Sequence, residues 1–124
     1  MENKNSLLVD NYGELLAQVN DMTLISFETD GGYQGSYVVV LTDGERLFYY
    51  LESYGSCSGC DWLEDVGRDR DYASKKRYRV PYKEALDFCG GLKPKYIVPK
   101  DTPMAIKNNG EYGGFDVTFP VKNL

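Results

Sequence analysis

Hydrophobic positions recur along the chain with two different periods, and the change from one to the other predicts the element order. In NYGELLAQVN, residues 11–20, Leu15, Leu16 and Val19 fall at helical spacing, and Asp10 or Asn11 stands where an N-cap belongs. Gly13 weakens the first turn of that helix. MTLISFET then carries β-branched and aromatic residues and reads as a strand, closed by the turn cluster DGGYQG. SYVVVL and ERLFYYLE read as a hairpin, joined across Asp43-Gly44, a dipeptide suited to a two-residue turn. In its second strand Leu47, Tyr49 and Leu51 share one face and Arg46, Phe48, Tyr50 and Glu52 the other. Apolar residues on both faces predict a central strand.

Beyond the hairpin, DWLEDV can start a short helix, with Asp61 near its N-terminus. Residues 67–79 read as a polar connection that becomes a short strand at RYRV. PYKEALDFCGG is a compact helix signal, with Pro81 in the first turn, Tyr82, Leu86 and Cys89 along one face, and Gly90 and Gly91 at its end. KYIVP and GFDVTFPV are two further strands, separated by PMAIKNNGEYGG. The order predicts a single α+β domain over residues 1–124, with an antiparallel sheet of about four to six strands and two or three short helices.

Composition agrees with a folded domain: 42% of the 124 residues are hydrophobic and 14% aromatic, including eleven tyrosines. No apolar run is long enough for a membrane-spanning helix, and the opening MENKNSLLVD lacks the basic and apolar parts of a secretory leader. A cytosolic location is therefore expected, with reduced cysteines. The net charge of -5 is unevenly spread. Residues 1–67 hold only Lys4 and Arg46 against twelve acidic residues, whereas residues 68–100 hold ten basic and four acidic ones. An acidic total disfavours direct nucleic-acid binding and favours a basic partner.

Chemistry concentrates in YGSCSGCDWLED, residues 54–65. A C-x-x-C pair sets two sulfurs on one tight turn, the spacing of a zinc clamp. With no histidine in the chain, Cys89 is the remaining sulfur ligand and Asp61 the nearest carboxylate, so Cys57, Cys60, Cys89 and Asp61 form the expected structural zinc site. Two other readings stay open. The pair can serve as a thiol redox couple, activated by the helix that follows, or the cysteines can simply pack under the sheet.

Without histidine there is no Ser-His or Cys-His couple, and no enzymatic activity is expected beyond the thiol alternative. GGYQG and GEYGG read as turns, since neither leads into the Lys-Ser or Lys-Thr of a phosphate loop. The run KKRYRV, with Lys75, Lys76, Arg77, Tyr78 and Arg79, could follow a phosphate backbone, or could be the charged face of a strand. Trp62, Glu64 and Asp65, with Tyr54 nearby, are the expected partner-binding group, because a large aromatic anchor flanked by carboxylates suits a basic surface. Trp62 could also be a lid over the core.

The segments YQGSYVVVL and YGSCSGCDWLE, within residues 33–64, resemble small proteins carried by phages and other mobile elements. In size, acidity and tyrosine content the chain is similar to anti-CRISPR proteins. That likeness implies an inhibitor of a bacterial defence nucleoprotein, with a Cas9-type effector as partner, acting in the host cytosol.

Overall fold

The computed structural model describes residues 6–30, 35–54, 62–63, 78–110 and 114–119. In chain order these residues form β1 (Ser6–Val9), α1 (Tyr12–Asn20), β2 (Thr23–Thr29), β3 (Gly35–Thr42), β4 (Arg46–Tyr54), β5 (Tyr78–Pro81), α2 (Tyr82–Gly90), β6 (Tyr96–Pro99), β7 (Ala105–Asn108) and β8 (Phe115–Thr118). The fold is α+β, with every strand pair antiparallel. A four-stranded sheet in the order β2-β3-β4-β6 is accompanied by a β1-β5 ribbon and a β7-β8 hairpin.

The central sheet is covered on both faces, and the β3–β4 register shows how. Val39 lies opposite Tyr50 and Leu41 opposite Phe48, and all four point into the core shared with α1, α2 and the β1-β5 ribbon. Val38 opposite Leu51 and Val40 opposite Tyr49 point the other way, under Met104, Ile106, Phe115 and Val117 of the C-terminal hairpin and its approach. β4 is central, as its two apolar faces predict.

Local chemistry fixes the ends of these elements. Asn11 caps α1, its Oδ1 accepting from the Glu14 amide at 2.9 Å, while Glu14 Oε1 accepts from the Asp10 amide at 3.0 Å. The helix stops at Asp21, a left-handed residue at φ 55°, and Met22 N donates to Ala17 O at 2.9 Å. Gly13 has a packing reason: a Cβ there would stand 3.0 Å from Phe27 Cβ and 3.1 Å from Leu24 Cδ1, both on β2. Its small size lets α1 lie directly on the sheet.

Three details depart from the sequence-based reading. β3 ends at Thr42 and β4 begins at Arg46, so three residues, Asp43, Gly44 and Glu45, make the turn rather than two. Gly44 supplies a φ of 102°, and Asp43 Oδ1 accepts from the amides of Glu45 and Arg46, each at 2.9 Å. On α2 the inward stripe is buried Ala85 and Cys89 with half-buried Phe88, while Leu86 is turned outward at 42% exposure. That stripe prevails because Phe88 finds aromatic partners on both sides. Finally, SLLV and AIKN are strands that the sequence reading passed over.

Asp30 links two distant parts of the fold. It is 8% exposed, and its carboxylate accepts from Ser36 N through Oδ1 and from Gly114 N through Oδ2, each at 2.6 Å. One side chain thus holds the start of β3 and the start of β8 together.

Candidate interaction site at the aromatic end of the sheet

β4 ends at Tyr54, and the chain is next described at Trp62 and Leu63. Both sides of this interval pack on the main core. The Trp62 ring stacks on Phe88 with centroids 4.1 Å apart and planes 9° apart. Leu63, 3% exposed, donates its amide to the Tyr12 hydroxyl at 2.9 Å. Phe88 also meets Tyr12 at 6.0 Å, Tyr12 stacks on Tyr37 at 4.7 Å, and Tyr37 touches Phe27 at 5.9 Å and Tyr54 at 6.3 Å. Contacts of this type contribute about 0.5–1.5 kcal/mol each beyond the area they bury. The series therefore fixes the helices, the sheet and residues 62–63 as one aromatic end.

A cleft of about 130 Å³ opens there, lined by Asp10, Asn11, Tyr12, Thr29, Tyr54, Leu63 and Tyr78. Among the described residues its lining comprises three tyrosines, a leucine, a carboxylate, an amide and a hydroxyl, with no Lys or Arg. A second cleft, of about 340 Å³, lies by Ser36, Tyr37, Leu51, Glu52, Ser53, Gly114 and Phe115.

Of the expected zinc ligands, Cys57, Cys60 and Asp61 lie outside the described residues, as do Glu64 and Asp65 of the expected partner-binding group. Cys89 is described. It sits in the main core at 5% exposure, and burial pushes its thiol up to about 12. At neutral pH it is a neutral thiol, unsuited to nucleophilic or redox attack. A metal bound there would have to displace that proton. Cys89 directly follows Phe88, the residue on which Trp62 stacks, so α2 carries it next to the aromatic end. Among the described residues no group of three or more His, Cys, Asp or Glu is arranged to hold a metal.

Tyr54 and Trp62 are brought together with residues that the sequence reading did not select. Trp62 is half-buried, with one ring face committed to Phe88, which is the lid arrangement. Tyr78 is half-buried, packs on the core and lines the cleft. Exposed Arg79 donates to Ser6 Oγ at 3.3 Å. Lys75, Lys76 and Arg77 lie outside the described residues. Glu52 is half-buried, with burial raising its carboxyl above the usual range. Burial likewise raises the phenols of Tyr49 and Tyr50, Tyr50 also lying beside Cys89.

The sequence reading missed Asp10, Tyr12 and Leu63 as site residues, and placed Tyr78 in the basic run rather than at this cleft. Tyr12 lies 51 residues from Leu63, and no local pattern reports that contact. Among the described residues no helix is long and apolar enough to cross a membrane. No family model, curated protein or solved structure matches the chain.

Proposed function

We propose that the chain is a non-enzymatic binding protein whose aromatic end engages a basic surface on a partner, with a Cas9-type CRISPR effector as that partner. One observation carries the reading: Tyr54 and Trp62 share an aromatic framework with Tyr12 of α1 and Tyr78 of β5, beside a cleft whose charged residue, among the described ones, is Asp10. Aromatic anchors on a rigid base, beside negative charge, are the ingredients of a protein-binding patch for a cationic surface. The strongly acidic first half of the chain supports the same polarity.

The proposal includes a structural zinc on Cys57, Cys60, Cys89 and Asp61. Its support is positional: Trp62 directly follows Asp61 in sequence and stacks on the neighbour of Cys89. The buried Cys89 thiol makes zinc loading steeply dependent on pH, because each thiolate ligand releases a proton. The thiol redox alternative is confined to Cys57 and Cys60.

The test is sedimentation of the purified chain with a Cas9-guide RNA complex, alongside zinc analysis of the chain alone. Co-sedimentation that weakens at least tenfold in Tyr54→Ala, with about one zinc per chain, is the expected result. No association at micromolar concentration sinks the partner assignment. A metal-free chain with three titratable thiols sinks the zinc.

A further inference from the structure

β7 of the C-terminal hairpin leads directly into Asn109-Gly110, a pair in which an asparagine side chain is poorly protected from attack by its own main chain. Both residues are exposed. Glycine has no Cβ to crowd the approach to its nitrogen, and Gly110 stands at φ 87°, a conformation that favours glycine. The Gly110 amide donates to Asn108 Oδ1 at 2.9 Å, and Asn109 Nδ2 donates to Asp116 Oδ2 at 3.2 Å. Both bonds lie at the surface, where water competes for the same atoms.

The reaction open to this pair needs no reagent but water. The Gly110 nitrogen, its proton lost to solvent hydroxide, adds to Asn109 Cγ. The Cγ–Nδ2 bond then breaks, ammonia leaves with a proton taken from water, and a cyclic succinimide remains. Water opens the ring at either carbonyl carbon. Opening at Cγ gives an aspartate in the ordinary main chain, whereas opening at the main-chain carbonyl gives an isoaspartate, whose main chain runs through Cβ and Cγ. In sum, one amide and one water become one carboxylate and one ammonium, with nothing oxidised or reduced.

Both products disturb the bonds that close the hairpin. Asn109 N donates to Gly114 O at 3.0 Å, and Gly114 N in turn donates to Asp30 Oδ2 at 2.6 Å. A carboxylate at position 109 removes the donor that meets Asp116 and sets a like charge beside it, with Lys107, opposite Asp116 in the register, as the cation of that strand pair. Isoaspartate also lengthens the main chain inside the turn between residues 109 and 114, which pulls the closing bond out of line.

We propose that Asn109-Gly110 is a site of spontaneous deamidation, and that its conversion loosens the C-terminal hairpin from the sheet. The change is one-way and needs no enzyme. It sets a lifetime on the cover over Val38 and Val40, whatever the aromatic end binds.

The test is incubation of the 15N-labelled full chain at mildly alkaline pH, with conversion located by tandem mass spectrometry of tryptic peptides and isoaspartate counted by methyltransferase labelling. Asn20 is the internal reference: it ends α1, its Nδ2 donates to Leu16 O at 2.9 Å, and Asp21 follows it. Asn109 should convert at least tenfold faster than Asn20. The converted fraction, separated by its added negative charge, should exchange the Gly114 amide at least threefold faster than the untreated chain. Asn109→Gln, incubated in the same way, should show neither change. Conversion no faster than at Asn20, unchanged Gly114 exchange in the converted fraction, or an equal rise in Asn109→Gln would overturn the assignment.

Discussion

Replacing Asp30 by alanine tests how the C-terminal hairpin is held to the sheet. The carboxylate is 8% exposed and accepts from Ser36 N and Gly114 N, each at 2.6 Å. A hydrogen bond to a charged group contributes about 1.5–3 kcal/mol, and truncation also strands two amide donors. Water entering through the adjoining open cleft recovers part of this, so we expect a loss of about 3 kcal/mol. For a chain of this length that is a fall in Tm of roughly 10 °C. Asp30→Asn keeps one acceptor oxygen but turns its NH2 toward the second amide, and should lose about 2 kcal/mol. Thermal denaturation followed by circular dichroism gives the magnitude, and amide hydrogen exchange gives the location. Gly114 and Ser36 should exchange faster in Asp30→Ala, while the β1-β5 ribbon keeps its native-state protection. A fall of less than about 2 °C, or unchanged exchange at Gly114, would refute the linking role.

Two further substitutions probe burial and packing. Burial holds the Glu52 carboxyl above its usual range, so the unfolded chain ionises first as pH rises, and stability falls from the unfolded value through the folded one. Glu52→Gln should therefore raise the Tm at pH 7 and leave it unchanged near pH 3; an equal gain at both would discard the desolvation argument. Gly13→Ala adds helix propensity of about 1 kcal/mol but sets a methyl 3.0 Å from Phe27 Cβ. Overpacking of about 1–3 kcal/mol should win, and a higher urea midpoint in the variant would show that α1 can lift without loss.

Elements with strong local signals were legible in the sequence. The apolar spacing of Leu15, Leu16 and Val19 with Asn11 as cap, and the doubly apolar β4, specify α1 and a central strand from within a few residues. Short strands were not legible, because SLLV and AIKN are defined by their partners: Leu7 lies opposite Val80 and Ile106 opposite Val117. The α2 face was misread for a related reason. Leu86 and Phe88 have similar hydrophobicity, and the presence of Trp62 and Tyr12 makes Phe88 the one that packs inward. Gly13 looked like a weak point in the helix until its distance to β2 gave it a purpose. The aromatic end was half legible: Tyr54 and Trp62 stand out beside the cysteines, whereas Asp10 and Tyr12 look like ordinary cap and helix residues. Their role depends on a contact spanning 51 positions.

The hairpin that covers the second face of the sheet has a consequence for solubility. β3 contains five consecutive buried residues, Tyr37, Val38, Val39, Val40 and Leu41, with no charge, proline or glycine among them. Such a stretch has the composition of a cross-β aggregation segment. Val38 and Val40 are shielded by Ile106, Phe115 and Val117, and the hairpin bearing those residues is latched at Gly114 by Asp30. The latch therefore works as a gatekeeper at a distance: a carboxylate outside the dangerous segment keeps its cover closed. Loosening it would release an adhesive surface before the rest of the domain unfolds, and damage at Asp30 would be seen first as precipitation.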